Sequence, residues 1–394
     1  MPNEERLDPV LERYYNRFNK FNSKVLKELG ETIKRFDGLT PSEAHQLAQE
    51  LKYSTKIDEL MKELAELSGK SVEDLDVFLD RVAQENVEFA EQYYQIKGKE
   101  FIPYEENETL KRYVESIKKE TNETFENLSK TRNIGFTFKD KRTGEVFFKP
   151  FEKAYRDIID EAVNNVAMGV EDYQSAMRST IRQLADSGVK IHEESVTYKS
   201  GYNRRIDSSV RQSVLTGVRK TNIGIQEQIG EELGADGVEI SGHFPCADDH
   251  LFINGQQFSK KEFERINSNL DRPVGEYNCR HFVFSIILGV NLPNYNQRQL
   301  DYMRRMSQEK IEYDGKTYTR YQATQVQRQL ETEIRRQKDR QIIARASNDK
   351  QEIEKAQSKI SILTRKYNEL SKEADIPTYK NRMIVSGYQR VSTK

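Results

Sequence analysis

Through most of the chain, apolar residues recur every three or four positions, the period of a helix with one buried face. Leu11, Tyr14, Tyr15, Phe18, Phe21, Val25 and Leu29 form the first stripe, and Asp8-Pro9 is expected to start it, an N-cap with proline in the first turn. Thr40-Pro41-Ser42-Glu43 has the form of a capping box and opens a helix carrying Ala44, Leu47 and Leu51. A third helix is expected to begin at Ser71-Val72-Glu73-Asp74 and to bury Leu75, Phe78, Val82 and Val87. A fourth, over 106–130, carries Leu110, Tyr113, Val114 and Ile117. Residues 1–132 therefore read as a helical bundle whose aromatic stripes are core.

At Gly135 the period changes from about 3.6 to 2. Phe136 and Phe138 alternate with polar residues, Lys141-Arg142-Thr143-Gly144 makes a turn, and Val146-Phe147-Phe148 comes after it, which is a hairpin. Pro150 then opens a helix running from Phe151 through Val166 that Gly169 ends or kinks. A helix through Tyr173, Met177, Ile181 and Leu184 stops at Gly188, and 195–205 is a loop. Ser208 to Leu233 is the next helix, with Gly234 just past its end. Residues 133–234 thus form a hairpin with a helical lead-in to the central segment.

Residues 238–288 change texture again. Val238-Glu239-Ile240-Ser241 alternates like a strand, and the tight-turn pair Asn254-Gly255, between Leu251-Phe252-Ile253 and Gln256-Gln257-Phe258, predicts a second hairpin. Ser259 to Asn267 is expected as a short helix, and Phe282 to Leu288 as a buried strand. These make 235–295 a small α+β domain. Beyond Pro293 the chain reads as helical, with a break at Tyr313-Asp314-Gly315-Lys316. Thr319 to Arg345 is one helix and Ser347-Asn348-Asp349 a turn. Ile353, Ala356, Ile360, Leu363, Tyr367 and Leu370 then form a coiled-coil seam. Residues 296–375 are expected as a basic helical hairpin, and 376–394 as a flexible tail. The fold class is α+β, mostly α: an elongated helical bundle with a small β-containing central domain and a long C-terminal helical hairpin.

Composition adds three constraints. No apolar run approaches the roughly 18 residues of a membrane span, so no membrane is required for folding. The N-terminus is polar and acidic, unlike a signal peptide. Two cysteines in 394 residues give no disulfide framework and point to a reducing compartment. The net charge of −1 conceals an asymmetry: residues 296–394 hold 22 Lys and Arg against 13 Asp and Glu, and the rest holds 41 against 51. An acidic body with a basic tail suits a tail that meets phosphate or an acidic partner. The candidate contacts to nucleic acid or protein are Arg320, Arg328, Arg335, Arg336, Lys338, Arg340 and Arg345. The alternative is a solvated helix face.

Both cysteines and three of the five histidines fall between 243 and 281. His243, Cys246, Asp248, His250, Cys279 and His281 are the available ligands, and two Cys with two or three His suit tetrahedral zinc. Cys-x-His on a strand sends its side chains to opposite faces, which excludes one of Cys279 and His281 unless the strand is broken there. Against a metal stands a buried, inert Cys279 with histidines bonded to loop backbone. A cysteine nucleophile beside His and Asp248 or Asp249, or a nuclease centre of His243, Asp248, His250 and His281, has the residue types without a local signature. No phosphate loop or dinucleotide glycine pattern is present.

Several ordered segments, from Val210-Arg211-Gln212-Ser213 through Gly234-Ala235-Asp236-Gly237, Ser241-Gly242-His243, Asp249-His250, Asn254-Gly255-Gln256 and Phe258-Ser259 to Asn278-Cys279-Arg280-His281, resemble one family. This is the tailed-phage minor capsid proteins common in phages and prophages of Gram-positive bacteria, related to Mu F-like head morphogenesis proteins. The likeness spans roughly 150–370 and continues through Tyr318 to Arg328. It implies a virion structural protein without turnover, bound to the portal protein inside the procapsid and in reach of scaffold or major capsid protein and, non-specifically, of DNA. It would assemble in the host cytoplasm and end in the capsid interior near the portal. It also implies that Asn254, Gly255, Asn278, Cys279, Arg280 and His281 define the central fold. The family pattern places a small residue and an arginine where this chain has Phe244-Pro245-Cys246, so Cys246 is less favoured as a ligand. His243, His250, Cys279 and His281 remain the candidate zinc set. The alternatives are a metal-dependent nuclease or toxin-like enzyme centred on His243–His281, and a zinc-stapled DNA-binding module.

Overall fold

The computed structural model describes residues 4–128, 130–140, 142–168, 173–192, 204–275 and 279–392. Helix α1 (Glu4–Arg35) buries Leu11, Tyr14, Phe18, Val25 and Leu29. It begins before the expected Asp8-Pro9 start, with Pro9 inside it, where the missing N–H forfeits one early hydrogen bond. Helix α2 (Pro41–Lys52) has the expected capping box: Glu43 N donates to Thr40 Oγ1 at 3.4 Å, and Thr40 N to Glu43 Oε2 at 2.9 Å. Helix α3 (Lys56–Lys97) runs unbroken through Ser71, which corrects the helix start expected there. Ser68 and Ser71 do not cap; their hydroxyls donate back to the Leu64 and Leu67 carbonyls, so the polar residues are satisfied within the helix. Helix α4 (Glu108–Leu128) starts where Asn107 Oδ1 accepts from Leu110 N.

The hairpin of β1 (Ile134–Lys139) and β2 (Val146–Pro150) forms as read, closed by Asp140 Oδ1 accepting from Arg142 N and Thr143 N. Helices α5 (Phe151–Ala167) and α6 (Tyr173–Ser187) come next. Two short strands, β3 (Lys190–Ile191) and β4 (Arg204–Arg205), extend the sheet in the order β2-β1-β3-β4. The Gly169 stop and most of the 195–205 loop lie outside the described residues. Helix α7 (Ile206–Leu233) packs against α1, α3 and α4 and ends at Gly234, whose φ is +75°. Gly224 lets the Tyr113 ring lie against its backbone: a Cβ there would sit 1.9 Å from that ring.

The small sheet has the order β6-β5-β7, from β5 (Gly237–Ile240), β6 (Gln257–Ser259) and β7 (Val283–Ile286), with α8 (Lys260–Ser268) after β6. The hairpin expected around Asn254-Gly255 is absent. Leu251 to Gly255 are turns, and the His250 carbonyl accepts from Ile253 N and Asn254 N at 3.2 and 3.1 Å, so β5 takes β6 and β7 as partners instead.

After α9 (Gln297–Gln308), the break read at 313–316 is the turn of a hairpin, β8 (Lys310–Tyr313) with β9 (Lys316–Thr319). Asp314 and Gly315 both have positive φ, the primed turn that matches strand twist. Helices α10 (Arg320–Ala346) and α11 (Lys350–Glu373) form the expected pair, joined through Asn348 at φ 62°.

This pair does not project as an arm. Helix α10 packs on α1 and α6 as well as on α11, and Ile342 and Ile343 belong to the same core as Leu11, Phe136, Ile158 and Val214. One core therefore crosses the boundaries expected at 132 and 234. Nor does 376–392 hang free. Met383 and Val385 are buried, Ser386 N donates to Asn19 Oδ1 at 2.7 Å, and Tyr388 Oη bonds Gln357 Oε1 at 3.1 Å. The apolar residues of that segment do not recur at a helical or strand period, and its anchors are single side chains that periodicity does not detect.

Where α1, α7 and α10 meet, Arg205 is buried between Asp207 and Asp339, both fully enclosed. Asn19 and Asn22 of α1 donate to the two carboxylates. Removing the cation leaves two buried carboxylates without their hydrogen-bonded partner, with only the more distant Arg335 to offset their charge. Arg205→Met should therefore cost about 3–5 kcal/mol of unfolding free energy, read from the shift of a urea transition.

Candidate functional site

The polar cluster is assembled from three loops around β5 and β7. His243 follows β5, His250 ends a single 3₁₀ turn (Asp248–His250), and Cys279 and His281 lie just before β7. Because β7 begins only at Val283, the Cys-x-His pair is not on a strand, and both side chains turn to the same side. Cys279 Sγ lies 3.3 Å from His281 Nδ1 and 3.6 Å from His250 Nδ1, and the two Nδ1 atoms are 3.3 Å apart. Of the four candidate ligands, three converge at a point. His243 lies against the other part of the His281 ring, with centroids 4.3 Å apart, and its Nε2 is buried without a hydrogen-bond partner among the described residues. Cys246 is also there, with Sγ 3.8 Å from His281 Nε2 and its backbone N donating to Ser307 Oγ at 2.9 Å.

Asn254 fixes this arrangement. Its Oδ1 accepts from His243 N and its Nδ2 donates to His243 O, both at 3.0 Å, so its amide has only one orientation. The same Oδ1 lies 3.0 Å from His281 Nε2. Asp249 is clamped by Arg272, with Oδ2 3.8 Å from His250 Nε2, and the Arg272 backbone carbonyl takes that Nε2 at 2.7 Å. Asp248 is exposed and takes no part in the cluster. Gly255 sits in the turn and Cys279 in the small core; Asn278 lies outside the described residues.

Burial governs the protonation of the cluster. It pushes the Cys246 thiol up to about 12, so that cysteine is no nucleophile near neutral pH. Burial, then the charges of Arg280 and His250, lowers His243 to about 4, and burial with the neighbouring histidines lowers His281 further. Burial works against the charged form of Cys279 too. Its hydrogen bonds from His250 and from the Gly275 and His281 backbone outweigh that, and its pKa falls. His250 is lowered by burial but raised, on balance, by Cys279, the Arg272 carbonyl and Asp249.

Most of the candidate cations of α10 prove to be partnered within the fold. Arg320 pairs with Glu309 and Asp375, Arg336 with Glu333, and Arg340 with both oxygens of Asp186. Arg335 donates to Tyr15 Oη, Lys338 to the Met383 carbonyl, and Arg345 to Gln389 Oε1. Arg328 is different. It keeps access to solvent but stands in a cleft beside Arg280 and Arg382, where desolvation by the surrounding protein and then their charges lower its pKa. These three line both of two adjoining cavities. One, of about 390 Å³, adds Arg204, Arg211 and Arg219, against Glu12 and Glu331. The other, of about 480 Å³, reaches His250, Cys279 and His281. Sequence pattern did not single out Arg211, Arg219 or Arg382. The signal available was the spacing of Arg211 and Arg219 on one face of α7, a face that also carries Ser208, Gln212 and Leu215.

The chain is mostly helical with small antiparallel sheets, the fold class expected from its sequence. The profile of the phage minor capsid protein 2 family matches residues 3–371, and the chain belongs to that family. Its role is structural and its place is the bacteriophage virion. Neither curated proteins nor solved structures gave a match. Among the described residues no helix is long and apolar enough to cross a membrane.

His243 gives the site a pH signature. Its pKa falls from 6.5 to about 4 on folding, so the folded chain binds fewer protons than the unfolded one in that window. The stabilisation is complete above 6.5 and is lost as pH falls toward about 4. His281 acts in the same sense; His250, with a raised pKa, acts in the opposite one. The urea midpoint should drop as pH falls from neutral toward 5, and His243→Gln should reduce that drop.

Proposed function

We propose that this minor capsid protein works inside the capsid beside the portal protein, joining it during assembly in the host cytoplasm, and that it contacts packaged DNA non-specifically without turning over a substrate. Membership of the minor capsid family supports the first part. The observation that carries the DNA contact is the meeting of Arg280, Arg328 and Arg382 on the shared wall of two cavities. The arginines of these walls outnumber the carboxylates Glu12 and Glu331 beside them, which leaves a net positive cleft, and a planar guanidinium suits phosphate oxygens in bidentate geometry. The ion pairs along α10 argue that this cleft, rather than a free basic arm, meets the backbone phosphates.

One observation favours a second reading. The Cys/His cluster opens on the same arginine-lined cavity, which is where a metal-dependent nuclease would hold a phosphodiester. Cleavage of plasmid DNA that stops on chelation and in His250→Gln would establish it.

For the leading reading, affinity for duplex DNA measured by fluorescence anisotropy should fall steeply with salt, log Kd changing by about 0.9 per log unit of salt for each phosphate neutralised. The pair Arg328→Glu and Arg382→Glu should weaken binding at least tenfold and flatten that slope, while Arg345→Gln should leave both near wild type. Salt-independent binding, or an unchanged double variant, would exclude the cleft. Co-sedimentation with portal rings tests the portal contact separately.

A further inference from the structure

The protonation of His250 and His281 follows from geometry alone. His250 Nε2 lies 2.7 Å from the Arg272 carbonyl, which can only accept, so that nitrogen carries the hydrogen. His281 Nε2 lies 3.0 Å from Asn254 Oδ1, and the two bonds between Asn254 and the His243 backbone establish that this atom is the oxygen. That nitrogen also carries a hydrogen. In their neutral forms both rings therefore present a bare Nδ1 lone pair, and the two face each other at 3.3 Å. The Cys279 thiol has one proton and can satisfy only one of them. Two facing lone pairs in a buried site call for a cation between them.

The spacing identifies the cation. Zinc bonds of about 2.3 Å to sulfur and about 2.0–2.1 Å to nitrogen, arranged tetrahedrally, place two nitrogens about 3.3–3.4 Å apart and a nitrogen and a sulfur about 3.6 Å apart. The observed separations are 3.3 Å between nitrogens and 3.3 and 3.6 Å from sulfur. A thiolate with two imidazoles is a donor set for a borderline-soft metal; calcium and magnesium take oxygen. Both remaining ring N–H groups are held by oxygen acceptors, as is usual for histidines that ligate metals.

We propose that Cys279 Sγ, His250 Nδ1 and His281 Nδ1 bind a zinc ion, with His243 and Cys246 outside its coordination. Cys246 stands at the Nε2 edge of His281, the edge already used by Asn254. The fourth position takes water or an anionic oxygen from the adjoining cavity, which these three residues help to line. The ion ties the turn at 248–250 to the loop before β7, and so fixes the wall that carries Arg280. This inference does not depend on DNA binding.

The test is elemental analysis of the full chain, purified without chelator and also after incubation with zinc and desalting. One zinc per chain is expected in the wild type, Cys246→Ser and His243→Gln. Cys279→Ser and His250→Gln should lose it, with far-ultraviolet circular dichroism reporting that the helices persist. Cobalt added to the stripped wild type should give a thiolate-to-cobalt charge-transfer band that Cys279→Ser lacks. Should the variants fail to fold, the wild type still decides: a chain with native dichroism that retains neither zinc nor cobalt holds a shared proton between the rings, and the proposal falls. Metal that survives Cys279→Ser but not Cys246→Ser would move the site to His243, Cys246 and His281 and would equally overturn it.

Discussion

The Arg205 guanidinium, held between Asp207 and Asp339, is the constraint on which the rest of the fold depends. Three charges are taken out of water at the junction of α1, α7 and α10, and such a group tolerates few geometries. Asn19 and Asn22 bring α1 to the same point, and Arg335 adds Tyr15. Apolar burial would hold these helices together in several rotations; the charged junction selects one. It also explains why the long helical pair at the end of the sequence lies on the bundle instead of extending from it.

Most helices were legible because their apolar stripes and caps are local. Thr40 with Glu43, Gly234 and Thr319 mark ends that the structure keeps. The departures have a common cause. Ser71 can serve as an N-cap or bond back to its own helix, and only the tertiary setting chooses. Asn254-Gly255 makes a turn in either case, but the Asn254 side chain is committed to the His243 backbone, so the flanking residues do not pair with each other. Asp314-Gly315 is also a hairpin turn pair, yet it lies within an otherwise helical stretch and reads from sequence only as a break between helices.

The site was half legible. The concentration of Cys and His between 243 and 281 located it, but which ligands converge depends on where β7 begins, a matter of two residues. The arginine cleft was harder to see. Its members come from α7, α10, the loop before β7 and the segment after α11. The charge count of the C-terminal quarter pointed to α10, where most cations are engaged by internal partners. Net charge records how many cations a segment has, whereas function depends on where the fold gathers them.

The packing of residues 381–388 against α1 has a consequence for how the molecule is made. Asn381 bonds Glu12, and Ser386 bonds Asn19, across more than 360 positions of chain. The first helix emerges from the ribosome long before these partners exist, and Glu12 and Asn19 stay solvated until residues 381–388 have been made. Contacts so distant in sequence make closure slow relative to the local helices. Residues 381–388 therefore act as a clasp on α1, and a chain that lacks them loses the contacts that hold the first helix from this side.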